Sequence, residues 1–333
     1  MKYSCILGSG HYLPSRVVSN FDIMKMMETS NEFIVKRTGV HYRRYAESDM
    51  SASALAVPAC EAAVKDAGLC MEDIDFLIMN TITPDHADPG CAFFLQDKLG
   101  LPGIGALDIR QQCAGLIYGL SIADHFVRAG TYHHVLVACS EVLSKRVDGS
   151  PDGKNLAILL GDGAGAVVVG AANSEKEKIL STTLHADGSG AKILYTAAPG
   201  SALGRAEHIT KGDIDTGRVH FRMNGKAMFE NGVARISEAI FESLETNGIT
   251  LNDIDAIIPH QPNLRMLEAV MQRTGIPQSK TFINVHEYGN IASASLPIAL
   301  DQARGKGVIT NGSIVLLVAF GSGFVWGSAL LQM

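Results

Sequence analysis

The chain has 333 residues, of which 47% are hydrophobic and 19% are charged, with 28 Lys and Arg against 34 Asp and Glu. This composition is typical of one or two compact globular domains and excludes a disordered or fibrous chain. The mildly acidic balance excludes a protein that binds nucleic acid through a broadly basic surface, although it permits a local basic patch.

The chain opens with MKYSCILGSGHYLP, which holds one Lys, a short apolar run and then turn residues. A secretory signal needs a longer apolar stretch and a cleavage site, so export is not expected. The longest apolar runs, such as 156–160 and 314–320, are much shorter than a membrane helix requires. We therefore predict a cytoplasmic protein that does not bind a membrane.

Helix and strand patterns alternate along the chain. Four segments have the periodicity and stop signals of helices: 53–67, 114–129, 226–247 and 292–304. An apolar strand pattern follows each of these four segments. Alternation of this kind predicts mixed sheets covered by helices. Residues 185–224 are rich in Gly, Thr and polar residues and are predicted to form an insertion or cap.

The chain also repeats itself. Three segments are echoed in the same order about half a chain later: GLCMEDID at 68–75 by GITLNDID at 248–255, LGLP at 99–102 by TGIP at 274–277, and VLVACS near 135–140 by IVLLVAFGS near 314–322. The alternative is a chance likeness between helix–turn–strand segments. The ordered echoes favour a duplicated fold, with halves at 1–172 and 173–333 and two sheets packed around shared central helices.

One cysteine has the context of a nucleophile. The six cysteines contain no C-x-x-C pair, which argues against a zinc site or a disulfide framework and predicts mostly inert core thiols. Cys113, however, stands at a strand-to-helix junction before the small residues Ala114 and Gly115. The positive end of a helix and its unpaired N–H groups favour the reactive thiolate. The alternative is a buried structural cysteine.

The second half supplies candidate partners for this thiol. His260 follows the strand pattern AIIP, so it is predicted to project from a strand end into a cleft. Asn290 precedes a small-residue helix, and we predict that it occupies the position equivalent to Cys113 under the repeat. A plain polar strand end and a helix N-cap are the alternatives. The Gly-rich turn 320–324 exposes backbone N–H groups suited to an oxyanion hole, or forms only a tight hairpin.

These residues resemble a known family. The motifs are EFIVxRTG at 32–39, CAG at 113–115, GDGAGA at 161–166, HQPNLR at 260–265, GNxASAS at 289–295 and GSGFxWGSAL at 321–330. Ordered from end to end, they resemble those of ketoacyl-acyl carrier protein synthase III, a condensing enzyme of the thiolase superfamily. The resemblance implies an α/β, thiolase-like five-layered αβαβα fold and a homodimer.

The resemblance also implies a set of site residues. Matched motif by motif, the catalytic triad is Cys113, His260 and Asn290, and the oxyanion hole is formed by the N–H groups of Cys113 and Ser322. Asn at the third triad position favours decarboxylative condensation over thiolase chemistry. Seven further residues match positions that bind substrate, coenzyme A or carrier protein: Phe33, Arg37, Asp88, Lys154, Asn263, Arg265 and Phe320.

Three of these positions depart from the fatty-acid enzyme of the family. Phe33 replaces a Trp, Asp88 replaces a Phe near the acyl pocket, and Lys154 replaces an Arg. With the runs EVLSKR at 141–146 and AAPGSA at 197–202, the chain is more similar to a secondary-metabolism branch that includes the anthraniloyl-condensing enzyme of alkylquinolone synthesis. An aromatic or other unusual primer is therefore an alternative to acetyl-CoA.

The predicted reaction is a decarboxylative Claisen condensation. An acyl-CoA primer acylates the cysteine, and malonyl-ACP or malonyl-CoA supplies the extender unit, giving a 3-oxoacyl product. Because coenzyme A and carrier proteins are anionic, a local cationic rim of Arg37, Lys154 and Arg265 is predicted. No metal or redox cofactor is expected. The glycines of GDGAG at 161–165 lack the Lys-Ser/Thr of a phosphate loop and are predicted to serve helix–sheet packing.

Two rival functions remain at this point. An acyltransferase on the same fold would move the Cys113-bound acyl group to an alcohol or amine without malonyl chemistry. A non-catalytic subunit would only support a partner synthase, although the intact triad argues against it.

Overall fold

The computed structural model describes residues 3–172 and 177–333. The strands are β1 (Ser4–Tyr12), β2 (Arg16–Ser19), β3 (Tyr42–Tyr45), β4 (Phe76–Asn80), β5 (Gly105–Ile109), β6 (His134–Val142), β7 (Asp162–Ala171), β8 (Lys178–Ala186), β9 (Leu194–Thr196), β10 (Phe221–Met223), β11 (Ala256–Pro259), β12 (Ile314–Gly321) and β13 (Val325–Gln332). The α-helices are α1 (Asn20–Met26), α2 (Asn31–Thr38), α3 (Ala52–Asp66), α4 (Cys91–Lys98), α5 (Gly115–Ala129), α6 (Lys154–Ala157), α7 (Lys211–Asp215), α8 (Gly225–Asn247), α9 (Leu264–Thr274), α10 (Val285–Tyr288) and α11 (Ser295–Gly305).

Two large mixed sheets repeat one topology. The first has the order β1-β7-β6-β4-β5, and the second has the order β8-β13-β12-β11. In the first sheet the parallel pairs β5–β4 and β4–β6 are followed by two antiparallel pairs. In the second sheet the parallel pair β11–β12 is followed by two antiparallel pairs. Thr281 pairs in parallel with Ile257 at the place that β5 holds in the first sheet. The predicted duplicated α/β fold is therefore confirmed.

Helices and sheets alternate in five layers. Helices α3 and α4 cover the outer face of the first sheet, and α8 and α9 cover the outer face of the second. Helices α5 and α11 lie between the sheets and share one core cluster with strands of both. Since Leu116, Ile117 and Leu120 of α5 are completely buried, each contributes about 1.5–3 kcal/mol of hydrophobic stabilisation.

The four predicted helices are present, and each begins within one residue of its predicted start except α11. Helix α3 begins at Ala52 because Ser51 caps it, accepting a hydrogen bond from the N–H of Ala54. Helices α5 and α11 begin one and three residues later than predicted. In both cases the preceding residues, 112–114 and 292–294, form a 3-10 turn. These two turns lie at the candidate site described below.

The other fold predictions have mixed outcomes. Segment 185–224 holds the small β9–β10 sheet and α7, and it forms part of the wall of a cavity, as expected of a cap. All six cysteines are free thiols, four of them buried, although Cys70 is exposed. The proposed boundary between residues 172 and 173 adjoins residues outside the described ranges, so it stays a prediction. Within the described ranges, no helix has the length and hydropathy to span a bilayer.

Glycines of β7 let α11 approach the first sheet. A Cβ atom on Gly165 would lie 2.8 Å from Pro297 Cβ and 2.9 Å from the backbone nitrogen of Ile298. Gly163 faces Ile298 as well, with a Cβ-to-side-chain distance of 3.2 Å. The prediction that these glycines serve helix–sheet packing is confirmed.

Gly165→Ala is expected to lower the free energy of unfolding by about 1–3 kcal/mol, because the added methyl group must displace the start of α11. Urea denaturation followed by circular dichroism measures the change. Gly305→Ala is the matched control: it lies at the end of the same helix, where an added Cβ atom would meet nothing within 4 Å, and it should be neutral or slightly stabilising. Equal effects of the two substitutions would contradict the packing role.

Candidate active site

Cys113 lies in the 3-10 turn between β5 and α5. The residue before it, Gln112, has φ of 49°, and Ala292 in the matching turn before α11 has φ of 41°. Non-glycine residues adopt this region at a cost of roughly 1–3 kcal/mol, and such strain clusters at functional sites. The two turns therefore share an unusual backbone, 180 residues apart.

This shared backbone corrects the predicted symmetry. An offset of 180 residues makes Ser293, and not Asn290, the counterpart of Cys113. The prediction that Asn290 occupies the equivalent position is wrong by three residues, since its counterpart is Arg110. The error arose because both helices were predicted to begin without the intervening 3-10 turn.

His260 follows β11 directly. Its backbone N–H continues the strand pairing by donating to the carbonyl of Val318 at 2.8 Å. The next residue, Gln261, is fully buried and receives hydrogen bonds from the N–H groups of Asn284 and Val285. Rigid strand and loop contacts thus fix the position of the imidazole, as the strand-end prediction required.

Asn290 is fastened to the first half of the chain. Its N–H donates to the carbonyl of Leu159 at 2.8 Å, and its own carbonyl accepts from the N–H of Gly161 at 3.0 Å. The side-chain Oδ1 accepts from the N–H of Ala292 at 2.8 Å. Because Oδ1 is engaged, Nδ2 is the group that can donate to a substrate.

The end of β12 lies against the turn that holds Cys113. A Cβ atom on Gly321 would lie 2.9 Å from the backbone nitrogen of Cys113, so only glycine permits this approach. Ser322 follows at once and lines the same cavities as Cys113. The oxyanion hole predicted from the N–H groups of Cys113 and Ser322 stays a prediction.

Two cavities meet at these residues. One, the front cleft, has a volume of about 590 Å³, and the other, the side chamber, has a volume of about 750 Å³. Both are lined by Cys113, Asn290 and Ser322, whereas His260 lines the front cleft. Four other predicted residues also line the front cleft: Arg37, Asn263, Arg265 and Phe320.

Three predicted binding residues line neither cavity. The ammonium group of Lys154 lies 4.9 Å from the centre of the Phe33 ring, so these two side chains contact each other beside the cleft. Asp88 is exposed on the surface, next to Ala87, which lines the side chamber. Lys36, which the sequence reasoning missed, lines the front cleft beside Arg37.

Burial keeps the resting site neutral. It raises the pKa of the Cys113 thiol to about 12, with a further contribution from the negative charge of Glu141. Burial therefore outweighs any effect of the helix start on the resting thiol. Burial also lowers the pKa of His260 to about 3, so its imidazole is uncharged at neutral pH. The buried Nδ1 of His260 has no hydrogen-bond partner among the described residues, which leaves Nε2 to meet a substrate.

Glu141 was missed by the sequence reasoning. It is completely buried at the end of β6, and burial raises its pKa to about 7. One oxygen accepts a 2.5 Å hydrogen bond from Ser293, and the other accepts from the N–H of Ile82 and the hydroxyl of Thr83. It thereby links the turn before α11 to the first sheet. The available signal was an acidic residue at the end of the apolar strand VLVACS.

Known proteins resemble the chain over nearly its whole length. Models described as 3-oxoacyl-[acyl-carrier-protein] synthase III and its C-terminal part match residues 107–188 and 244–333. A beta-ketoacyl-[acyl-carrier-protein] synthase III of Caldanaerobacter subterraneus is 42% identical over 98% of this chain and 97% of that protein.

Solved structures agree with this similarity. The synthase III structure from Thermus thermophilus has a TM-score of 0.90 and 38% identity, covering 99% of both chains. The one from Aquifex aeolicus has a TM-score of 0.89 and 36% identity, covering 99% of this chain and 100% of that one.

The uncharged state of His260 makes stability depend on pH. Below about pH 6.5 the unfolded chain binds a proton on this imidazole that the folded chain does not, so the free energy of unfolding falls as the pH falls. Between about pH 7.5 and 5.5 this group contributes a loss of about 1.4 kcal/mol, which His260→Gln should remove.

Urea denaturation of both proteins across this range measures the difference. The same measurement on His208→Gln, an exposed histidine outside the cleft, is the control. Identical slopes for the original protein and His260→Gln would refute the neutral buried imidazole.

Proposed function

The chain belongs to the 3-oxoacyl-[acyl-carrier-protein] synthase III family, and from that premise we propose that Cys113, His260 and Asn290 are its catalytic residues. As a member, it is an acyltransferase that condenses a Cys-bound acyl group with a malonyl thioester. The observation that supports the assignment most is the joint lining of one cleft by a thiol, an uncharged imidazole and an oriented amide.

In the first half-reaction the Cys113 sulfur attacks the carbonyl carbon of an acyl-CoA. The N–H groups of Cys113 and Ser322 donate to the oxyanion, and the bond to the coenzyme A sulfur breaks. The proton lost by Cys113 ends on the departing sulfur, so no net charge forms. The start of α5 stabilises negative charge only while the reaction proceeds, which suits a thiol that rests uncharged.

In the second half-reaction a malonyl thioester occupies the front cleft and loses carbon dioxide. The electron pair of the broken bond forms an enolate, whose oxygen receives hydrogen bonds from His260 Nε2 and Asn290 Nδ2. The enolate carbon then attacks the acyl group, and the Cys113 sulfur leaves and is reprotonated. Each neutral donor aimed at the developing charge is worth about 3 kcal/mol.

Cationic side chains at the front cleft support delivery of anionic thioesters. Lys36, Arg37 and Arg265 line it, and they would meet coenzyme A phosphates or an acidic carrier protein. Arg265 also donates to the carbonyls of Lys36 and Val35 and pairs with Glu268, so it holds α9 against α2. We assign Asn263, the N-cap of α9, to the pantetheine arm.

The finer placement within the family is also a proposal. We infer a secondary-metabolism role with a primer other than acetyl-CoA, on the basis of Phe33, Asp88 and Lys154. The large side chamber supports this inference, because its volume of about 750 Å³ exceeds what a two-carbon acyl group occupies.

A homodimer and a cytoplasmic location belong to the same proposal. Strand β5 is the edge of the first sheet, its residues are only partly covered, and an uncovered edge invites pairing with a second copy. Free thiols at all six cysteines are typical of a reducing compartment. The absence of a metal or redox cofactor stays a prediction.

Asn290→Asp should separate the two half-reactions. It keeps the Oδ1 that accepts from Ala292 but replaces the donor by a carboxylate oxygen, so carbon dioxide release from malonyl thioester should fall about 10²- to 10³-fold. The acyl adduct on Cys113, measured by intact mass after incubation with acyl-CoAs, should still form.

Two controls accompany this measurement. Cys113→Ala should take up no acyl group, and the exposed Asn252→Asp should behave like the original protein. Acyl uptake by Cys113→Ala would refute the nucleophile. Acyl transfer to an alcohol or amine without carbon dioxide release would favour the rival acyltransferase.

Arg37→Glu should raise the Michaelis constant for malonyl carrier protein about 3- to 10-fold. The Michaelis constant for malonyl-CoA should rise less, because the carrier protein presents more negative charge. Arg37 suits the test better than Arg265, since it is exposed and makes no ion pair among the described residues. Lys98→Glu on α4 is the charge-matched control. The effect should shrink at about 0.5 M salt; equal shifts for both substrates would argue against carrier docking at Arg37.

A further inference from the structure

The side chamber carries an unusual charge for this mildly acidic protein. Three cationic residues line it, Arg110, Lys145 and Arg146, against one carboxylate, Asp85. Among the described residues, none of these four side chains takes part in an ion pair with a protein group. The chamber therefore holds excess positive charge behind the nucleophile.

Two of the four charged groups are already occupied. The Asp85 carboxylate accepts hydrogen bonds from Ser51 and from the hydroxyl and N–H of Ser53, which hold its pKa below the usual value despite burial. The Lys145 ammonium donates to the carbonyls of Ser48 and Met50 at 2.8 and 2.6 Å. The Asp85 carboxylate would repel an anion, and Lys145 has only one N–H donor left.

Arg146 is different because it is held in place with donors to spare. Its Nη1 donates to the carbonyl of Ile82 at 3.0 Å, and its Nη2 donates to the hydroxyl of Thr196 at 3.0 Å. The guanidinium carbon lies 4.2 Å from the centre of the Phe221 ring. A guanidinium has five N–H donors, so three have no acceptor among the described residues.

The surroundings of Arg146 disfavour its charge unless an anion is present. Burial lowers its pKa, the charge of Glu141 raises it, and Arg110 lowers it again. Among the described residues Glu141 makes no ion pair with Arg146, and its oxygens accept hydrogen bonds from Ser293, Ile82 and Thr83. A half-buried, rigid guanidinium next to a second cation is the usual setting for binding a carboxylate through a two-point contact.

We propose that the side chamber binds an acyl primer whose far end carries a carboxylate, held by the guanidinium of Arg146 with Arg110 adding positive charge. The thioester carbonyl of this primer reaches Cys113, which the side chamber shares with the front cleft. The inference rests on the proposed function, because it names the class of acyl group that the nucleophile accepts. It adds no chemical step to the two half-reactions.

Acylation of Cys113 by chain-matched thioesters tests this proposal. Initial rates of adduct formation are measured by intact mass with succinyl-CoA against butyryl-CoA, and glutaryl-CoA against pentanoyl-CoA, with acetyl-CoA and anthraniloyl-CoA alongside. The carboxylated member of at least one pair should react faster by about 10- to 100-fold, as expected for a charge-assisted hydrogen bond.

Variants then assign the preference to Arg146. Arg146→Gln should reduce the ratio of carboxylated to uncharged rates to about one, and Arg146→Lys, which keeps the charge but loses the planar fork, should give an intermediate ratio. Arg273→Gln, an exposed change at the end of α9, is the control and should keep the original ratio. Thermal unfolding identifies any variant that fails to fold. For such a variant, the ratio of carboxylated to uncharged rates measured on the unaltered protein tests the proposal.

The outcomes separate this proposal from the function on which it rests. Faster acylation by butyryl-CoA, acetyl-CoA or anthraniloyl-CoA than by every carboxylated thioester would overturn the carboxylate assignment while supporting the nucleophile. An unchanged ratio in Arg146→Gln would overturn the role of Arg146. No acylation of Cys113 by any thioester would instead refute the proposed function.

Discussion

The contact between the two strained turns, one before α5 and one before α11, is the constraint on which the site depends. It brings a thiol from one half of the chain next to an amide from the other, although 177 residues separate Cys113 from Asn290 in sequence. Glu141 fixes the contact by accepting a hydrogen bond from Ser293, and the backbone around Leu160 pairs with Asn290. Gly165 of β7 lets α11 approach the first sheet closely.

The same burial that assembles the site also sets its electrostatics. A thiol whose pKa is raised to about 12 and an imidazole whose pKa is lowered to about 3 are both uncharged before substrate binds. Such a site holds fixed donors that gain most when negative charge develops on a substrate oxygen.

The fold and the family could be read from the sequence because each depends on local pattern. Echoes offset by half the chain predicted the duplicated sheets, and ordered motifs around Cys113, His260 and Asn290 predicted the family. The register of the two helix starts was misread, because both helices were predicted to begin without the 3-10 turns at Gln112 and Ala292. That is why Asn290, and not Ser293, was first matched with Cys113.

The sequence by itself thus determined the architecture, the type of reaction and the residues proposed to carry it, since strand and helix periodicity and motif order are local properties. The tertiary structure alone decided what surrounds those residues: the neutral thiol and imidazole, the role of Glu141, and the cationic side chamber around Arg146. It also separated Phe33 and Lys154 from the cleft that Arg37 lines. These features depend on desolvation and on distances between remote segments, which exist only after the two halves have packed together.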